Sequence, residues 1–225
     1  MEQSGFALQA NSGEQDMNRL FVIACGLAFA LNLPIVLAQS RVTTTATRAA
    51  AVNLARGKCF LCHGEEGKSL SPLFPRLAGQ QSAYVVTQLK AFKNQTRSDP
   101  DAVAYMYGMA SLLSDEMMKA LGDYFQSLQP VAAKQEPSNE VSAGKEIFDN
   151  GIAAKGLSAC RTCHGPTAAG AGQFPRLAGQ HVAYIVKQLR AFKSGVRASP
   201  VMNAIASNLT EEQMQDIAAY VRSLP

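Results

Sequence analysis

The chain contains the same stretch twice. FPRLAGQQSAYVVTQLKAFKNQTR (74–97) returns as FPRLAGQHVAYIVKQLRAFKSGVR (174–197), and MYGMASLLSDEM (106–117) aligns with MNAIASNLTEEQ (202–213). Two copies of roughly 90 residues are a duplicated small domain, not a short solenoid unit. The Pro-containing, polar stretch QPVAAKQEPSNE (129–140) between them reads as a linker. The expected organisation is one domain at 39–129, a linker at 130–138 and a second domain at 139–225.

Both copies read as all-α. Thr47 to Lys58 is Ala-rich and leads into CFLCHG (59–64). From Ser82 to Asn94, Tyr84, Val85, Gln88, Leu89 and Phe92 share one helical face. Ser114 precedes Asp115-Glu116 as an N-cap, and Thr210 precedes Glu211-Glu212 in the same way. The last helices are expected to end near Leu128 and Leu224. A domain of this size buries little surface on its own, and a large apolar cofactor at its centre would make up the deficit.

CFLCHG and CRTCHG (160–165) place Cys59, Cys62 and His63, and Cys160, Cys163 and His164, in the order C-x-x-C-H. Three chemistries compete for that order. Zinc needs four clustered ligands, and each copy offers three, with no second ligand pair at a usual spacing. A redox C-x-x-C belongs in strand–helix folds, which this pattern lacks. Covalent haem attachment uses both thiols as thioethers and the next histidine as axial ligand. Two motifs then mean two haem c groups, one per domain.

The other axial position cannot be histidine in both copies, because the chain has three histidines: His63, His164 and His181. His181 stands where the first copy has Gln81 and reads as a surface residue. Methionine is the usual alternative. The repeat singles out Met106 and Met202, with the same spacing to a following Ala, Leu and Ser/Thr. Met109 aligns with Ile205 and reads as packing; Met117, Met118 and Met214 read as core or surface fillers. Each axial histidine also needs an acceptor for its other ring nitrogen. The carbonyls of Pro75 and Pro175, in the matching FPRLAGQ loops, are candidates; the alternative is that these prolines only shape the loop. Arg76, Arg176, Tyr84 and Tyr184 are open between partnering haem propionates and facing solvent.

The N-terminal stretch MNRLFVIACGLAFALNLPIVLAQS has a basic residue, an apolar run and a small-residue site before Gln39. It reads as a secretory signal peptide within residues 1–38, with a retained membrane anchor as the rival. Cleavage near Ala38 removes Cys25 and leaves cysteines only in the two motifs, so no disulfide framework remains to be built.

With the two C-x-x-C-H motifs, the duplicated FPRLAGQ…Y…QL-x-AFK stretch and the M…A-x-x-L-[ST] segments, the sequence from about 45 to 225 resembles the di-haem cytochrome c4 family. The resemblance implies two tandem class I cytochrome c-like domains packed face to face, with haem propionates near one another. It implies His/Met ligation, here His63 with Met106 and His164 with Met202. It further implies a periplasmic electron carrier serving respiratory terminal oxidases.

The formal net charge is +4, and no Lys/Arg run is interleaved with aromatic residues, which argues against a nucleic-acid partner. The expected function is relay of single electrons in the periplasm, from a quinol–cytochrome c oxidoreductase to a haem–copper terminal oxidase. A dedicated di-haem subunit of an oxidoreductase is the alternative. A di-haem peroxidase fits less well: it needs an open iron position, and both copies carry the methionine. The basic residues Lys90, Lys93 and Arg97, with Lys187, Arg190, Lys193 and Arg197, read as solvated helix faces, with steering of an acidic partner as their other use.

Overall fold

The computed structural model describes residues 44–131 and 139–225. The signal-peptide reading, Cys25 and most of the linker fall outside these residues. Both copies of the repeat lie in one compact unit, 47–225. Among the described residues the structure is helical, apart from the isolated bridges Ile152–Leu157 and Ala171–Phe174.

In the first copy residues 47–54 are α-helical. They continue through a π-helical turn, Ala55–Cys59, into one α-turn, α1 (Phe60–His63). Next come α2 (Ser82–Lys93), a π-helical turn (Ala102–Met106) with its continuation α3 (Tyr107–Ser111), and α4 (Asp115–Ser127). The second copy has α5 (Asn139–Asn150), α6 (Arg161–His164), α7 (Val182–Lys193), α8 (Pro200–Ser207) and α9 (Glu211–Ser223).

The helix starts follow local chemistry. Ser114 accepts from the Met117 N–H, satisfying one of the orphan donors of the first turn. Thr210 does the same for Gln213, whose side chain returns to the Thr210 N–H to complete a capping box. Ser199 caps α8, and Pro200 takes the first turn, where its missing N–H costs nothing.

Each copy has its own apolar core. In the first, Ala51, Val85, Leu89, Phe92, Met118, Leu121 and Phe125 pack where α2 meets α4. In the second, Phe148, Ile185, Val186, Leu189, Met214, Ile217 and Val221 pack where α9 crosses α5 and α7. The α5–α9 crossing is close enough that a Cβ on Gly144 would overlap the Asp216 carbonyl, so only glycine fits there. Met118 and Met214 are core residues.

Candidate haem sites and the interface between the copies

Each site is built from one short turn and one loop. α1 ends at His63 and α6 at His164, and the following Gly64 and Gly165 adopt positive φ, which turns the chain sharply away. The chain then reaches the FPRLAGQ loop, where the Nδ1–H of His63 donates to the Pro75 carbonyl at 2.8 Å. The Nδ1–H of His164 donates to the Pro175 carbonyl at 3.0 Å. Of the two readings of these prolines, the acceptor role is the one the geometry shows.

That bond fixes the tautomer, leaving the Nε2 lone pair free on each ring. Both rings are buried. Burial lowers the pKa of each below the ordinary histidine value, against the opposing pull of the proline carbonyl. A neutral imidazole with Nε2 free is the form that binds a metal. Phe74 and Phe174 stand edge-on to the rings at 6.3 and 6.4 Å.

The four motif cysteines are half-buried. Burial raises the pKa of Cys59 and pushes that of Cys160 to about 11. Among the described residues no three His, Cys, Asp or Glu side chains converge as a metal-ion site. Thiols in C-x-x-C spacing beside a neutral, oriented imidazole suit covalent haem attachment.

Met106 closes the π-helical turn Ala102–Met106 and packs, half-buried, against the first core; Met202 lies in the first turn of α8 against the second. Met109 is 42% exposed and so is not the packing residue expected from its alignment.

The two copies meet through their FPRLAGQ loops. The Gln80 amide accepts from the Arg176 N–H at 2.7 Å and donates to the Arg176 carbonyl at 3.0 Å. Gln180 repeats this on Arg76, at 2.9 and 3.0 Å. Arg76 also reaches the carbonyls of Ser69 and Gly179, and Arg176 that of Pro225.

Two expectations are corrected here. His181 is not on the surface. It is buried, and its Nε2–H donates to the Ser69 carbonyl of the other copy at 2.9 Å, while the aligned Gln81 donates to the Ala169 carbonyl at 3.0 Å. Arg97 and Arg197 are not part of solvated basic faces either. Both are buried between the copies, stacked on Phe92 and Phe192 and bonded to Gln88, Gln188 and the hydroxyls of Tyr184 and Tyr84. Tyr84 and Tyr184 therefore belong to this network. Gln80, Gln180 and Gln188 carry the interface together with Gln88, which the sequence places only on the inner face of its helix. Their signal was identity in both copies at polar positions beside apolar ones.

The family model for cytochrome c matches residues 49–129 and again 141–225. A cytochrome c4 from Pseudomonas aeruginosa is 33% identical over 214 residues, covering 92% of this chain and 100% of that protein. The solved structure of the Acidithiobacillus ferrooxidans cytochrome c4 superposes with a TM-score of 0.70 at 43% identity, covering 74% of this chain and 98% of that one.

The chain belongs to the di-haem cytochrome c4 family.

Another relative, named thiosulfate dehydrogenase electron acceptor, from Thiomonas intermedia, is 36% identical over 175 residues, covering 74% of this chain and 78% of that protein. Membership settles the cofactor and the class of function. Two cytochrome c domains, each with its C-x-x-C-H motif, carry two covalently bound haem c groups, and the protein is a di-haem electron-transfer cytochrome rather than an enzyme. Among the described residues no helix is long and apolar enough to cross a membrane.

Proposed function

We propose that this cytochrome relays single electrons in the periplasm from a quinol–cytochrome c oxidoreductase to a haem–copper terminal oxidase. Its domains are taken as 39–129 and 139–225. Cys59, Cys62, His63 and Met106 hold the first haem; Cys160, Cys163, His164 and Met202 hold the second. The observation that carries this reading is the paired His–Pro bond, 2.8 Å in one copy and 3.0 Å in the other. It orients each imidazole, with Nε2 free to bind, while burial keeps the ring neutral.

Bound haem c supplies the one-electron Fe(III)/Fe(II) couple, and thioether ligation with His and Met suits respiratory potentials. The chain's own residues do the rest. The thiols would hold the haem covalently, the proline carbonyl holds the histidine in one tautomer, and the methionine would leave no open position for a substrate. The loop contacts of Gln80 and Gln180 keep the two sites at fixed separation, so exchange between them is intramolecular. The export signal read at residues 1–38 supports the periplasmic placement.

A second reading has a specific observation behind it. The Thiomonas relative is named as the electron acceptor of thiosulfate dehydrogenase, so a thiosulfate-oxidising enzyme is the competing donor. Stopped-flow mixing of the purified di-haem protein with each donor, and then with a terminal oxidase, tests both. Fast reduction by the quinol enzyme and fast reoxidation by the oxidase, without peroxide turnover, are expected. Reduction by thiosulfate dehydrogenase alone replaces the donor, and failure to exchange with any respiratory complex overturns the proposal.

A further inference from the structure

The proline carbonyls that orient His63 and His164 belong to peptide units bonded at both ends. The Pro75 C=O and the Arg76 N–H lie in one planar, conjugated peptide, as do the Pro175 C=O and the Arg176 N–H. On the carbonyl side, the first unit accepts the Nδ1–H of His63 at 2.8 Å and the second that of His164 at 3.0 Å. On the N–H side, each unit donates across the interface. The Arg76 N–H reaches Gln180 Oε1 at 2.9 Å, and the Arg176 N–H reaches Gln80 Oε1 at 2.7 Å.

Two continuous hydrogen-bonded chains result. Each runs from one copy's histidine, through a peptide of the same copy, to the other copy's glutamine. Both glutamines are buried. The Gln80 oxygen also accepts from the Gln81 N–H at 2.9 Å, and the Gln180 oxygen from the His181 N–H at 3.1 Å. Their Nε2 groups donate to the Arg176 and Arg76 carbonyls, both at 3.0 Å. Each amide therefore has donors at its oxygen and an acceptor at its nitrogen, which fixes the way it faces.

Hydrogen bonds in series polarise one another in a low-dielectric interior. A peptide whose N–H is engaged carries more negative charge on its carbonyl oxygen and is the better acceptor. A better acceptor draws the Nδ1 proton away from the imidazole and raises the basicity of Nε2.

We propose that Gln180 is a positioning residue for His63 and Gln80 one for His164, so that each half's histidine is tuned by a glutamine of the other half. The inference rests on the reading of these histidines as axial ligands and adds the groups that set their basicity. A more basic imidazole favours ferric over ferrous iron, and hydrogen bonding behind the ligand is one of the protein's levers on haem potential. Losing the glutamine oxygen therefore raises the potential of the haem in the opposite copy.

Proton NMR of the intact, reduced di-haem protein with nitrogen-15 histidine reads each Nδ1–H, and an NMR-monitored redox titration reads the potential of each haem. In Gln180→Leu the His63 Nδ1–H is expected to move upfield, as a weakened hydrogen bond does, and the first haem's potential to rise. His164 and the second haem should change much less. Gln80→Leu is expected to give the reverse pattern. Gln180→Glu keeps an oxygen acceptor for the Arg76 N–H and should move the His63 proton downfield, whereas a merely loosened interface moves it upfield. That variant carries the test even if Gln180→Leu fails to fold. Shifts at the histidine of the mutated copy, equal shifts at both, or none overturn the proposal. Ring carbon protons of His63 and His164 that keep the strong upfield shift of a haem-bound imidazole in every variant show that the ligand reading stands where the glutamine inference fails. Their absence from the native protein would remove the ligand reading and the inference with it.

Discussion

The two copies are nearly interchangeable where they face the haem and each other, and differ where they face outward. His63 and His164 make the same bond to Pro75 and Pro175, and Gln80 and Gln180 make mirror-image bonds across the interface. Between the motif cysteines, however, the first copy exposes Phe60 and Leu61 where the second has Arg161 and Thr162. Leu112 of the first copy is 93% exposed; its counterpart in the second is Asn208. The connection into each motif differs too. In the first copy it is a continuous helix through a π-helical turn, and in the second a loop containing the Ile152–Leu157 bridge. Duplication has kept the parts that hold a cofactor and join the halves, and left the exposed surface of each half free to change.

The harshest way to break the equivalence is to remove one attachment site. Cys59→Ala with Cys62→Ala, and separately Cys160→Ala with Cys163→Ala, should each lower the intact mass by one haem and halve the haem stain that survives denaturing electrophoresis. Loss of both haems from either variant would show that the halves depend on each other for maturation. Next come the methionines. Met106→Leu and Met202→Leu should each remove about half of the sulfur-to-iron charge-transfer absorption, because each takes away the proposed axial sulfur of one haem. Met109→Leu should leave it whole; the opposite pattern would mean that the repeat alignment picks the wrong sulfur.

The interface offers a sharper contrast. Asp99→Ala removes the carboxylate bonded to the buried Arg97, and should destabilise by about 3–5 kcal/mol in denaturant unfolding. Ser199→Ala, at the aligned position, loses only a helix cap, worth about 1 kcal/mol. Equal losses would remove the charge argument. Burial pushes the Asp99 carboxyl up, but its bond to Arg97 and the charges of Arg97 and Arg197 hold it below the ordinary value. Its contribution is therefore full above about pH 3.9 and lost as pH falls through the folded-state value.

The smallest effect distinguishes His181 from Gln81. Burial, then the charge of Arg76, lowers the His181 pKa against the pull of the Ser69 carbonyl. The stability it contributes is complete above about pH 6.5 and declines as acid protonates the unfolded chain first. His181→Gln keeps an N–H donor for Ser69, as Gln81 has for Ala169. It should remove the loss of stability that sets in as pH falls below about 6.5. An acid limb unchanged in the variant would place the titration elsewhere.

Much of this was legible because its causes are local. The caps at Ser114 and Thr210 and the apolar stripes of α2, α4 and α9 follow from neighbours within a turn or two. The Pro75 and Pro175 acceptors were open to inference because the motif and the loop recur together. What failed to show was orientation between the copies. Arg97, Arg197 and His181 are polar residues at helix ends, where solvent is the ordinary environment. Only the packing of one copy on the other buries them. The missing clue was available in part: Tyr84, Gln88 and Arg97 recur as Tyr184, Gln188 and Arg197, more than a solvated face requires. The exchange of Asp99 for Ser199 had no meaning until both arginines were seen in one cluster.

The proposed His/Met closure of both irons leaves each half able to carry electrons but without an open position for substrate chemistry. Electron paramagnetic resonance of the oxidised, purified protein tests it most directly. Two low-spin ferric signals in equal amount are predicted, one spin per haem, with no high-spin iron. A high-spin signal from either haem would mean an open coordination position in that half, and would contradict the claim.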